Sequence, residues 1–207
     1  MLERQRVEAL VSKLRKLFVG GSAGNEQLTA VIATLLLPLL AIEGVTLLRI
    51  TSLLDVHAFV GMLLIPVVAA KLGSTGWRMA RYYRGAEEYV LRGPPHIALR
   101  VVVAPILVAS TIMLFATGVA LLALNQTHGT LVGLHKASFV VWAGAFGLHV
   151  LTRLPAVVGA LRRRLPALVA TAAALSVVAG LAVATLTLPA VDQLQDNVTG
   201  QTGFDVH

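Results

Sequence analysis

The sequence predicts an all-α integral membrane protein. Of its 207 residues, 57% are hydrophobic and only 13% are charged, and the mean hydropathy of +0.80 is far above that of soluble domains. Five apolar stretches approach the roughly 20 residues that a helix needs to cross the hydrocarbon core. We place these spans at 28–48, 53–73, 98–124, 131–152 and 166–188.

The first element, residues 1–20, has a different pattern. Apolar residues such as Val7, Leu10 and Leu14 follow helical spacing, whereas basic residues such as Arg4 and Lys13 occupy the other positions. This pattern is typical of an amphipathic helix that lies on the membrane surface. A secretory signal peptide is disfavoured because the charges continue too far into the segment.

The distribution of basic residues predicts the orientation. All of the 17 Lys and Arg residues except Arg49 and Lys136 fall on one side of the five spans. By the positive-inside rule that side is cytoplasmic, as is the N-terminus. The segment 189–207 carries aspartates but no Lys or Arg, which favours an external acidic tail.

The formal net charge of +7 could indicate a nucleic-acid partner, but membrane topology already accounts for the basic residues. We therefore exclude nucleic acid as a partner. Membrane lipid is the expected surrounding. The composition, rich in Ala, Val, Leu and Arg, favours a bacterial inner membrane.

Spans 1–2 and spans 3–4 contain an internal repeat. In each half, a span ends in a similar hexapeptide, and a segment with one histidine follows. The repeated segments are EGVTLL (43–48) with DVHAFVG (55–61), and TGVALL (117–122) with GLHKASFVV (133–141). His57 and His135 occupy equivalent places near the outer starts of spans 2 and 4. The repeat predicts a duplicated helical hairpin.

A second pair of residues follows each histidine after fourteen positions. These are Lys71 in span 2 and His149 in span 4. Fourteen helical residues give an azimuthal drift of about 40° and a rise of about 21 Å, so both positions share one helix face. Because spans 2 and 4 run parallel, His57 lies level with His135, and Lys71 lies level with His149. Two facing imidazoles in a bundle are a natural axial pair for a haem iron.

Histidines about fourteen residues apart on two parallel helices resemble the haem-binding helices of membrane cytochromes b, including the subunit of bc-type complexes and the b561-like carriers. The resemblance covers residues 28–155 and implies a four-helix haem-binding bundle, with the fifth helix at 166–188 outside it. It implies that His57 and His135 ligate an outer haem b, and that His149 provides one ligand of an inner haem. Gly44 and Gly118, one in each repeat, would let the flat macrocycle approach the backbone.

The sequence departs from that family at Lys71, where the pattern requires histidine. Neutral lysine can ligate iron only after losing a proton, and the side chain can instead reach lipid head groups. His96, at the mouth of span 3, is the alternative partner for His149. The number of haems, one or two, is therefore left open by the sequence.

Glu43 is an acidic residue near the outer end of span 1. It lies one and a half turns before Arg49, so we expect the two side chains to pair, with a protonated carboxyl as the other structural option. A role in handling protons or facing quinone beside the outer haem is the functional alternative.

These patterns predict a b-type cytochrome that carries electrons within or across the membrane. Its soluble segments are too small for another redox centre, so it needs a redox partner protein or quinone and is expected to be a subunit or anchor of a larger hetero-oligomeric complex. No hydrolytic constellation is present, and without cysteine any metal must have N or O ligands. The alternatives are a proton, ion or small-solute transporter that uses Glu43, Lys71 and the histidines, or a haem-free scaffold in which the histidines only pack.

Overall fold

The computed structural model describes residues 21–91, 99–161 and 167–204. These residues form helices joined by short connections. The elements are α1 (Gly21–Thr46), a 3-10 turn (Leu47–Arg49), α2 (Leu54–Tyr83), the short α3 (Glu87–Val90), a π-helical turn (Leu99–Val103), α4 (Ala104–Ala123), α5 (Thr130–Leu161), α6 (Ala167–Leu186) and α7 (Leu188–Phe204). The predicted surface helix at 1–20 lies outside the described residues.

Five of these helices are long and apolar enough to cross a membrane, as the sequence predicts. The spans are Gly24–Arg49, Leu54–Tyr83, Val101–Ala123, Thr130–Pro155 and Val169–Leu186. Many large apolar side chains on them are exposed, including Val140 at 69% and Leu151 at 75%. In water such surfaces would be unfavourable, whereas in a bilayer they contact lipid. The prediction of an all-helical integral membrane protein is therefore confirmed.

The connection between α4 and α5 is a tight turn whose residues match its backbone. Gln126 N–H donates to the Leu121 carbonyl (2.9 Å) and Asn125 N–H donates to the Leu122 carbonyl (3.3 Å), which closes α4 with a Schellman motif. Asn125 has φ 50°, in the left-handed region that asparagine tolerates, and Gly129 has φ 92°. The turn brings α5 back alongside α4.

Helix α2 is longer than its predicted span, 53–73. It continues without interruption through Pro66 and ends at Tyr83, where Gly85 takes φ 72°. A proline inside a membrane helix is tolerated because neighbouring groups satisfy the freed carbonyl. The extension carries Arg78 on the same helix as His57 and Lys71.

The first four long helices pack as a bundle. α1 and α4 each pack against both α2 and α5, so α2 and α5 occupy opposite corners. α6 packs outside this group, against α1 and α2. The buried core joins α1, α2 and α6 through Ile32, Leu64, Val67 and Ala184. The two helices that carry the paired histidines therefore face each other across the bundle.

Helix α7 covers one end of the bundle. Val191 and Leu194 are only 1% and 5% exposed, and they pack against Leu122 of α4 and against residues of α2 that include Leu54 and Met62. The Gln195 amide donates to the Thr51 carbonyl (3.2 Å). The sequence predicts only an acidic tail for this segment. It does not predict the helix or its packing against α2 and α4.

Close packing of α6 on α2 depends on Gly180. A Cβ atom there would overlap the carbonyl group of Leu63. We expect Gly180→Ala to lower the free energy of unfolding by about 1–3 kcal/mol, the usual cost of overpacking, measured by thermal unfolding in detergent. Gly144→Ala is the matched control, because a Cβ at Gly144 meets no atom within 4 Å. Equal melting temperatures for the two variants would contradict this account.

Candidate functional site

His57 and His135 come together inside the bundle. His57 lies in the first turn of α2 and His135 near the start of α5, and their ring centroids are 6.3 Å apart with planes at 89°. Both side chains are partly buried. The structure thus brings together the two residues that the sequence analysis pairs by repeat and depth.

The His57 ring is oriented by two residues of α1. Its Nδ1 atom lies 2.9 Å from Thr46 Oγ1 and 3.1 Å from Glu43 Oε1. The Thr46 hydroxyl donates its single hydrogen to the Glu43 carbonyl (2.6 Å), so it can only accept from the ring. Nδ1 therefore carries the proton, and in the neutral ring the lone pair is on Nε2.

The His135 ring is oriented in the same way by α4. Its Nδ1 atom lies 2.9 Å from Thr117 Oγ1. That hydroxyl donates to the carbonyls of Met113 (2.7 Å) and Leu114 (3.1 Å), so it too accepts from Nδ1–H. The Nε2 lone pair of the second neutral imidazole is likewise left for another partner.

The two hydrogen-bonding partners are equivalent in the repeat. Glu43 and Thr117 are aligned, each directly before a glycine, and each contacts Nδ1 of the histidine in its own hairpin. The sequence predicts either an ion pair with Arg49 or a protonated carboxyl for Glu43, and in the structure its carboxyl group contacts His57. Within the described part of the chain, no hydrogen-bond partner reaches its buried Oε2 atom.

The two repeat glycines have different surroundings. A Cβ atom at Gly118 would lie 3.2 Å from Cε1 of His135, so the missing side chain lets that ring pack directly on α4. A Cβ at Gly44 would meet no atom within 4 Å. Gly118 thus contacts a histidine ring, whereas Gly44 is exposed and borders open space.

Lys71 and His149 lie at the opposite end of the bundle and line one cavity of about 240 Å³. Lys71 Nζ donates to the Thr29 carbonyl of α1 (2.6 Å). The structure therefore brings this predicted pair to one place, but the lysine already has a partner. His96, the alternative partner for His149, lies outside the described residues.

The histidine pair fits a haem better than a bare metal ion. A protein-bound ion such as zinc usually needs three or four protein ligands. Among residues 21–91, 99–161 and 167–204, no group of three or more His, Cys, Asp or Glu residues is placed to hold one. A haem iron needs only axial ligands from the protein. The two histidines, on facing helices with ring centroids 6.3 Å apart, could supply these ligands.

Comparisons of the chain with protein-family models, with curated proteins and with solved structures found no match. The chemistry of the site is therefore the guide to function.

Proposed function

We propose that this protein is a b-type haem membrane cytochrome that carries electrons within or across the membrane. One observation carries the proposal: two imidazoles on opposite helices lie 6.3 Å apart, and Nδ1 of each is hydrogen-bonded to a threonine hydroxyl, which leaves Nε2 for another partner. A neutral imidazole that donates from one nitrogen and coordinates through the other is the usual form of a metal-bound histidine. His57 and His135 would hold the haem iron.

The chain's own residues contribute binding and orientation. Thr46 and Thr117 fix the tautomer and direction of the two rings, and Glu43 adds a carboxylate acceptor on the His57 side only. Such acceptors raise the basicity of the ligating nitrogen. When bound, a haem iron gains and loses single electrons, at a potential that these groups tune.

We place one haem at this site, and a second at His149 stays a prediction. Its proposed partner Lys71 donates a hydrogen bond to the Thr29 carbonyl. To ligate iron, the lysine would have to lose both a proton and this contact. The geometry therefore supports the version with one haem.

The proposed setting is a bacterial inner membrane with the basic end of the bundle in the cytoplasm. There, basic residues of α2 and α5 follow the positive-inside rule. The histidine pair then lies toward the external face. Electrons would pass to or from a redox protein or quinone, and the chain would act as a subunit or anchor of a larger redox complex.

Ion or solute transport is the alternative that the same residues admit. Transporter repeats commonly contain discontinuous helices at the binding site. Here α2 passes through Pro66 as one helix, and α5 is continuous from Thr130 to Leu161. Continuous helices on both sides of the histidine pair favour the cytochrome.

The first test is colour. We expect the detergent-purified protein to give the reduced-minus-oxidised absorbance spectrum of a b-type cytochrome, and pyridine haemochromogen analysis to give one haem b per chain. Two haems per chain would support the inner site at His149. A colourless protein, purified from cells supplied with haem, would reject the proposal in favour of transport or scaffolding.

Ligand substitution locates the haem. We expect His57→Ala and His135→Ala each to lose this haem, because neither remaining ring provides both axial bonds. His128→Ala is the matched control, since that histidine is exposed in the loop between α4 and α5. The measurement is haem content per chain after size-exclusion chromatography. Full haem retention in both of the first two variants would remove the pair from the assignment.

Substitution of Glu43, beside His57, is expected to change the midpoint potential of the haem. Glu43→Gln keeps the side-chain size but removes the ionisable carboxyl group beside Nδ1. A negative charge at this position stabilises the ferric form, so its loss raises the midpoint potential. A tenfold change in relative affinity for the two iron states corresponds to about 60 mV, the size of shift we expect in a redox titration. Thr117→Ser keeps the hydroxyl acceptor on the His135 side and is the control. A lowered or unchanged potential in Glu43→Gln would contradict this role.

A further inference from the structure

The cavity at the basic end is lined by three helices. α1 contributes Glu26, Thr29 and apolar residues, α2 contributes Lys71 and Arg78, and α5 contributes His149 and Arg153. A hydrogen bond between the Thr29 and Ser74 hydroxyls (2.7 Å) and the bond from Lys71 to the Thr29 carbonyl hold α1 against α2 beside it. The cavity is therefore built by packed helices.

Positive charge dominates the lining. Lys71, Arg78 and Arg153 all contribute to it, and among the described lining residues Glu26 is the one carboxylate. Because the three cationic side chains line one cavity, their like charges repel one another. Basic side chains inside a membrane span are costly unless a counter-ion accompanies them. The arrangement leaves an excess of positive charge that an anion would neutralise.

The rest of the lining is apolar. Leu36, Leu37, Phe146 and Leu154 form the other part of the wall, and Leu37 and Leu154 are also exposed on the lipid-facing surface. The cavity thus joins a basic part to an apolar part that reaches the lipid. Its volume of about 240 Å³ is below the usual range for drug-sized ligands, roughly 300–1,000 Å³, so it suits a small anionic group.

We propose that this cavity binds the phosphate group of an anionic ligand, and that the ligand is an anionic phospholipid whose phosphate lies among Lys71, Arg78 and Arg153. Arginine matches phosphate geometry with paired N–H donors, and the lysine ammonium has donors beyond the one used on Thr29. The lipid's first acyl carbons would lie along Leu36, Leu37 and Phe146. This assignment gives Lys71 a role that requires no second haem.

The test is lipid binding to the full chain in mild detergent, measured by native mass spectrometry with added phosphatidylglycerol or phosphatidylcholine. We expect the wild-type chain to prefer phosphatidylglycerol. The double variant Arg78→Gln/Arg153→Gln should bind it about thirtyfold more weakly, because a basic residue near an anionic lipid contributes about 1 kcal/mol. The control Arg49→Gln/Lys136→Gln removes the same charge at the other end and should leave binding unchanged.

Two further measurements keep the result decisive. Arg78→Lys/Arg153→Lys retains the charge and should retain most of the phosphatidylglycerol preference, which separates lost charge from misfolding. Competition by inorganic phosphate would support binding of the lipid through its phosphate group. Phosphate binding without any preference for phosphatidylglycerol would identify free phosphate as the ligand in place of the lipid.

Three outcomes would overturn the proposal. These are the absence of any wild-type preference together with no effect of phosphate, equal weakening in both charge-removing double variants, or a wild-type protein with two haems that loses one of them in Arg78→Gln/Arg153→Gln. The last result would assign the cavity to a second cofactor. None of the lipid measurements requires haem to be bound, so a colourless protein would reject the cytochrome without affecting this inference.

Discussion

The geometry of the histidine pair depends on the hydroxyl groups of Thr46 and Thr117. Each hydroxyl donates its hydrogen to a backbone carbonyl of its own helix, so it can only accept a hydrogen bond from the imidazole. In a medium of low dielectric, such a hydrogen bond is strong and an unmade one is costly. Tautomer and ring direction are therefore set before any ligand binds.

Each of these contacts lies within one helical hairpin. Thr46 precedes His57 by eleven residues and Thr117 precedes His135 by eighteen. A single hairpin can thus orient its own histidine, and packing of the two hairpins brings the rings together. Orientation of each histidine by its own hairpin agrees with the internal repeat. The two hairpins differ in one respect, because a carboxyl group and a hydroxyl contact His57, whereas only a hydroxyl contacts His135.

Much of this arrangement was predictable because it depends on quantities that sequence carries directly. Hydropathy locates membrane spans, and helical rise and rotation place His57 level with His135 once the repeat is aligned. The partner of Glu43 was not predictable in this way, because it depends on how α1 rotates against α2 and on one side-chain rotamer. The packing of helix α7 was not predictable from the sequence for another reason. Its apolar residues Val191 and Leu194 form a narrow stripe among polar residues, and the overall hydropathy hides it.

The position of α7 in the chain determines when its end of the bundle is covered during synthesis. It contacts α2 and α4, one helix from each half of the repeat, and is synthesised after both. A ribosome therefore delivers all four bundle helices before the segment that covers their histidine-bearing end exists. Val191 and Leu194 can therefore pack against Leu122 only after both hairpins have been made. The last helix to be synthesised thus joins the two halves of the repeat at one end of the bundle.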